Sequence, residues 1–118
     1  DSRFLNQRAY VSDLLPPIGN TIVDKEFRDC EIVGPANLVF GASRPGKGEL
    51  IECTFVDCDG VVTDEDAEVH NVVFFNDCSF RRCRFYRVTL IVPLGAYAGM
   101  QNELRGMRWL NAGILRRE

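Results

Sequence analysis

The sequence predicts a mainly β protein: a short, right-handed, quadrilateral parallel β-helix of about three turns, closed by a C-terminal α-helix. Three observations predict it. The pattern F-x-D-C occurs at Phe27–Cys30, Phe55–Cys58 and Phe75–Cys78, the last two 20 residues apart and the first two 28 apart. The surplus of eight matches the segment 41–48, whose Gly41, Pro45, Gly46 and Gly48 mark a loop; removing it restores a 20-residue period. A finer period lies inside the coarse one: Phe75, Phe80, Phe85 and Leu90 recur every five residues, and Val73, Cys78, Cys83 and Val88 recur at the same interval two residues earlier.

A large apolar residue and a small one sharing a five-residue period fit neither an α-helix nor a long alternating strand. They fit a square coil with five residues to a side and four sides to a turn of 20. Each side then points one large and one small side chain inward, and turns stack at roughly the 4.8 Å spacing of paired strands. The predicted core is Phe27, Cys30, Ile32, Cys53, Phe55, Cys58, Phe75, Cys78, Phe80, Cys83, Phe85 and Leu90. With sequential turns, Phe55 is expected against Phe75 and Cys58 against Cys78. One turn cannot bury its own core, so stability must come from stacking.

Along the chain, residues 1–21 read as an N-terminal cap. Phe4, Leu5, Tyr10, Val11, Leu14 and Leu15 precede Pro16 and Pro17, which suits extended chain or a short helix lying over the first turn and stopped by the prolines. Residues 22–92 form the coil, with the 41–48 loop inserted. Residues 93–118 hold the terminal helix and a tail. From Ala96 to about Asn111, Met100, Leu104, Met107 and Asn111, continued by Ile114, alternate spacings of four and three, and Leu110 widens the apolar stripe. Gly99 and Gly106 each weaken such a helix by roughly 1 kcal/mol, so it needs a packing partner. That partner is either the open end of the coil or the same helix of a second chain, and a homodimer through Met100, Leu104, Met107 and Trp109 is expected.

The run 75–90, FNDCSFRRCRFYRVTL, resembles the pentapeptide-repeat proteins, and FRDCEIVGPA at 27–36 is similar to small bacterial members with a degenerate repeat. The resemblance covers roughly residues 22–92, with Cys and Phe in place of the Ala and Leu of a regular repeat. It implies a quadrilateral β-helix and no common activity.

The 118 residues suit one domain, and 46% hydrophobic composition is enough for a core. A net charge of −3 gives no reason to expect a nucleic-acid partner. No apolar run reaches a membrane-spanning length; Val88–Met100 is broken by Pro93, Gly95 and Gly99. The chain opens on Asp1 rather than Met, as a processed or excised piece of a longer chain would, which leaves room for an upstream signal or anchor. Five cysteines, an odd number, argue against a closed disulfide framework and for buried, reduced thiols in the cytoplasm.

Several constellations bear on chemistry. The pairs Cys53/Cys58 and Cys78/Cys83, four residues between partners, sit at the edge of zinc-ligand spacing. The repeat already accounts for all four as inward small residues, so no metal or cofactor is expected. His70, the single histidine, follows Asp64, Glu65, Asp66 and Glu68 with no accompanying nucleophile motif, and is expected as a solvated surface group. Residues 41–47 match the first seven positions of a phosphate-binding loop, but Gly48 stands where Ser or Thr is required and strand-like residues follow. Acids at 57, 59, 64, 65, 66 and 68 and arginines at 81, 82, 84 and 87 form opposite clusters. The 20-residue period sets Asp64 against Arg84 and Asp66 close to Arg87, giving a surface ladder. Read as a docking surface instead, Arg81, Arg82, Arg84 and Arg87 join Arg44 and Lys47 of the loop.

The expected function is a non-catalytic structural or protein-interaction module with a protein partner of unknown identity. The alternative is a polysaccharide-active or sugar-binding β-helix, for which three turns leave little room. A gyrase-binding DNA mimic, known among pentapeptide-repeat proteins, fits less well, because the chain is short and its last turn basic.

Overall fold

The computed structural model describes residues 2–43, 48–65, 68–100 (side chains to 97) and 104–110. The protein is mainly β. Its elements are β1 (Arg3–Leu5), β2 (Arg8–Tyr10), α1 (Val11–Leu14), β3 (Thr21–Val23), β4 (Glu26–Arg28), β5 (Glu31–Gly41), β6 (Leu50–Ile51), β7 (Thr54–Val56), β8 (Asp59–Thr63), β9 (Val73–Asn76), β10 (Ser79–Arg81), β11 (Arg84–Pro93), α2 (Leu94–Met100) and β12 (Arg108–Trp109). All pairings between these strands are parallel.

The short strands have a local cause. Asn6, Asp24, Asp29, Glu52, Asp57, Asp77, Arg82 and Arg87 all have left-handed backbone, with φ between 52 and 58°. Each stands two residues after a large residue of the five-residue series (Phe4, Ile22, Phe27, Leu50, Phe55, Phe75, Phe80, Phe85) and ends the strand there. Asn and Asp reach this conformation most readily among residues with a Cβ, which is the physical meaning of the Asp in F-x-D-C. The bent backbone stays satisfied by its neighbours: Asp29 N–H donates to the Arg81 carbonyl (2.9 Å), and Arg84 N–H to the Cys30 carbonyl (3.0 Å).

The register aligns the large residues in rows. One sheet, β1-β4-β10-β6, sets Phe4, Phe27, Phe80 and Leu50 side by side. In the other sheet, Ala9, Ile32, Phe85 and Phe55 form a second row, Leu38, Leu90 and Gly60 a third, and Ile22, Phe75 and Phe40 a fourth. Rings stack along each row at about the inter-strand spacing: Phe4 on Phe27 (4.9 Å, 10°), Phe27 on Phe80 (4.8 Å, 5°) and Phe55 on Phe85 (4.8 Å, 12°). Between rows, Phe80 meets Phe75 edge-on at 5.2 Å and Phe85 tilted at 5.1 Å. All twelve predicted core residues are buried. Each such aromatic pair adds about 0.5–1.5 kcal/mol beyond its buried area.

The order of neighbours differs from the expectation. Phe55 lies against Phe85, not Phe75, and Phe75 lies between Ile22 and Phe40. Cys58 and Cys78 are likewise not partners: the Cys58 thiol reaches the Phe85 carbonyl and the Cys78 thiol the Ile22 carbonyl, both at 3.4 Å. Segment 73–93 sits between 21–41 and 50–63, so neighbouring rows carry offsets of 53 and 30 residues (Phe27 to Phe80, Leu50 to Phe80). The reason is burial. Segment 73–93 has the most regular run of large apolar residues, and the middle position covers it on both sides. A sequence period says which side of the structure a residue occupies but not which segment lies next to it.

The predicted helix over 96–111 is also corrected. Helix α2 covers Leu94–Met100, and the chain from Leu104 to Leu110 is non-helical and includes strand β12. Gly106 has φ +84°, outside any α-helix, and passes so close to the Phe55 carbonyl that a Cβ would collide with it. The stripe needed for a helical dimer contact is therefore absent over 104–110: Leu104 is buried, and Trp109 packs on Gly60. Asn111 and Ile114 lie outside the described residues. At the other end, residues 3–14 form β1, β2 and α1, which continue the parallel rows.

Candidate interaction surface

Outward side chains alternate with the buried rows and carry the charge. Arg82 binds Asp29 through two bonds (Nε to Oδ1 2.7 Å, Nη2 to Oδ2 3.1 Å). Glu31 is shared by Arg8 (Nε to Oε1, 2.8 Å) and Arg84 (Nη2 to Oε2, 2.9 Å). Arg3 meets Glu26 at 3.0 Å and Arg108 meets Asp59 at 2.9 Å. The Arg82 guanidinium holds the Asp29 carboxyl below its ordinary pKa, and Arg8 does the same for Glu31. A charge ladder exists, as expected, but with other acids. Arg84 pairs with Glu31 rather than Asp64, because 21–41, not 50–63, supplies that neighbour. Arg82 and Arg84 are thus committed to the protein's own acids and are weak candidates for docking. Arg87 is exposed at a corner and Arg81 is exposed on β10. Arg44 and Lys47 lie outside the described residues, as does the side chain of Met100; Met107 is half-buried against the core.

Five of the sites that sequence reasoning leaves out gather around Arg81. In the first sheet Arg28 lies directly beside Arg81, Leu5 beside Arg28 and Ile51 beside Arg81. Ser79 and Glu49 complete the wall of a groove of about 290 Å³ that also includes Arg3 and Glu26. Nothing in the 20-residue period places Arg28 next to Arg81. The signal is the 53-residue offset, legible only once the order of segments is known.

The five cysteines are free and buried. They share one rule. Each stands three residues after a large inward residue and donates its S–H to the carbonyl of that residue's neighbour on one side: Cys30 to Phe4 (3.3 Å), Cys53 to Phe80 (3.4 Å), Cys58 to Phe85 (3.4 Å), Cys78 to Ile22 (3.4 Å) and Cys83 to Phe27 (3.5 Å). Burial pushes the Cys30, Cys58 and Cys78 thiols above their ordinary pKa; contact with the Cys53 thiol, then burial, pushes Cys83 up as well. Protonated, hydrogen-bonded thiols are poor nucleophiles. Among the described residues no cluster of three His, Cys, Asp or Glu is arranged for a metal.

His70 is exposed. Of the acids before it, Glu65 instead accepts the Gly95 N–H at 2.6 Å. The loop after Gly41 is tied back by Ser43, whose N–H and hydroxyl donate to the buried Asp77 carboxylate at 2.7 and 2.6 Å. Beyond it Glu49 leads into strand β6, so no helix follows the phosphate-loop-like residues. Among the described residues no helix is long and apolar enough to cross a membrane. No protein-family profile, curated protein or solved structure matches the chain.

Proposed function

We propose that this chain is a quadrilateral β-helix of pentapeptide-repeat type that serves as a non-catalytic protein-interaction module. The recurring unit supports the β-helix reading. A large inward residue, a left-handed corner two residues on and a small inward residue at the third position repeat every five residues at Phe75, Phe80 and Phe85. The observation that carries the interaction reading is the contrast within the surface charge. Arg3, Arg8, Arg82, Arg84 and Arg108 are paired with acids of adjacent strands, whereas Arg28 and Arg81 lie side by side over an open groove. Five unpaired thiols support a reducing, cytoplasmic setting. The mixed signs of the ladder argue against an acidic DNA mimic.

The test is affinity capture with the wild-type chain and with an Arg28→Glu/Arg81→Glu double variant, after circular dichroism has shown that both are folded. A protein retained by the wild type and lost by the variant supports the module. Binding on a glycan array, with no protein lost, would favour the sugar-binding reading instead.

A further inference from the structure

Like charges directly opposite each other on paired strands are destabilising. Arg28 and Arg81 occupy such positions, while five other arginines meet an acid across the same kind of ladder. The groove around them has a defined charge: Arg3, Arg28 and Arg81 against Glu26 and Glu49 leave one positive charge uncompensated. Glu26 is engaged by Arg3, and Glu26 and Glu49 flank Ser79, one outward column away from the arginines. A dianion such as phosphate would meet two carboxylates there. A monoanion neutralises the groove, and the planar guanidinium fork suits a carboxylate.

The column has apolar ends. Across the strands it runs Leu5, Arg28, Arg81, Ile51, with Leu5 exposed and Ile51 half-buried. Three strand spacings separate its ends, about 14 Å. In an extended peptide, side chains at i, i+2 and i+4 share one face, and the outer two lie about 14 Å apart. Such a peptide laid across the strands would set apolar side chains against Leu5 and Ile51 and its central side chain midway between Arg28 and Arg81.

We propose that this groove binds an extended acidic segment of a partner protein with the pattern apolar-x-Glu-x-apolar, its glutamate carboxylate shared by Arg28 and Arg81. This names the partner chemistry for the surface in the interaction reading above and rests on it. The probe is the capped pentapeptide leucine-threonine-glutamate-threonine-leucine, titrated into the ¹⁵N-labelled full chain, with its glutamine counterpart and inorganic phosphate as comparisons at matched ionic strength. The expected result is saturable shifts of the Arg28, Ser79 and Arg81 amides with the glutamate peptide. Affinity should fall about tenfold with the glutamine peptide and in Arg28→Gln and in Arg81→Gln. Arg84→Gln, outside the groove, should leave it unchanged. All variants are first compared by their amide spectra, so that a folding defect is seen directly. No saturable shift in the wild type, equal binding of the glutamine peptide, undiminished affinity in both groove variants, or tighter binding of phosphate would each overturn the proposal. If the captured protein still depends on Arg28 and Arg81 while the peptide does not bind, the interaction reading stands and the peptide assignment falls.

Discussion

The two ends of the parallel rows are finished differently. At the C-terminal end Trp109 lies on Gly60 and meets Tyr97 edge-on at 4.8 Å, Leu104 is buried, and Phe55 N–H donates to the Arg105 carbonyl at 2.8 Å. At the N-terminal end β1 is an edge strand, and Leu5, Tyr10, Leu15, Ile18 and Val23 are exposed, Ile18 to 90%. One end has both backbone partners and an apolar cover. The other ends in strands that pair inward and are blunted outward only by charges such as Arg3 and Arg8, a common protection for an edge. A row end therefore poses two separate problems, unpaired backbone and uncovered apolar area, and this chain solves both only once.

The largest expected effect lies between the ends. Phe80→Ala removes a ring in contact with Phe27, Phe40, Phe75 and Phe85 and should cost about 3–5 kcal/mol in urea unfolding. Phe4→Ala, at the half-buried N-terminal end of the same row, should cost less than half as much. Equal losses would mean that the row has no open end. Next come the ends themselves. Trp109→Ala should cost about 2 kcal/mol, below the range for a fully buried ring, whereas Ile18→Ser should stay within about 0.5 kcal/mol. A reversed order in thermal melts would show the N-terminal end to be the better protected.

The thiols give a local readout of the same contrast. Cys30 adjoins β1 and β2, and Cys58 adjoins β12. Under native conditions an aromatic disulfide reagent should label Cys30 before Cys58, and both far more slowly than after unfolding; labelling of Cys58 first, read by peptide mapping, would invert the picture. The raised thiol pKa values also carry a sign. The folded state favours the protonated form, so the contribution is complete below the ordinary thiol pKa of about 8.5 and is lost as pH rises through the higher folded values. Stability should therefore decline above that pH. The smallest effect concerns the surface pairs. Asp29 and Glu31 have lowered pKa values, so their contribution is present above the ordinary carboxylate range and lost as pH falls through the folded values. Arg82→Gln should flatten the acid limb of the stability profile slightly, and an unchanged limb would show the Asp29 pair to be inert.

Much of this was legible in the sequence because side-chain period and burial are local. Phe75, Phe80, Phe85 and Leu90 announce their own row positions, and the cysteines follow from them. The left-handed corner was written in the same motif, at Asp29, Asp57 and Asp77, yet is hidden where Glu52, Arg82 or Arg87 takes that place against its backbone preference. The order of segments was not legible. Phe55 fits against Phe75 as well as against Phe85 by size and shape, and only the whole packing decides. The groove depended on that order, so Arg28 drew no attention beside the obvious cluster at 81–87. The stretch 104–110 misled because Leu104 and Met107 also satisfy a helical spacing, while Gly106 and the free edge of β8 favour a strand.

The middle position of segment 73–93 also governs how the chain must reach its final state. Strands β6, β7 and β8 pair with β10, β11 and β12 and with no strand of residues 3–41. Stepwise zipping from one end, the route open to arrays of sequential repeats, is therefore closed to this chain. Residues 50–63 must wait for a strand made after them, and loops of 30 and 53 residues have to close before their backbone is satisfied. Slow, all-or-none folding follows, and a nascent chain released at residue 65 would hold Leu50 and Phe55 with nothing to lie on.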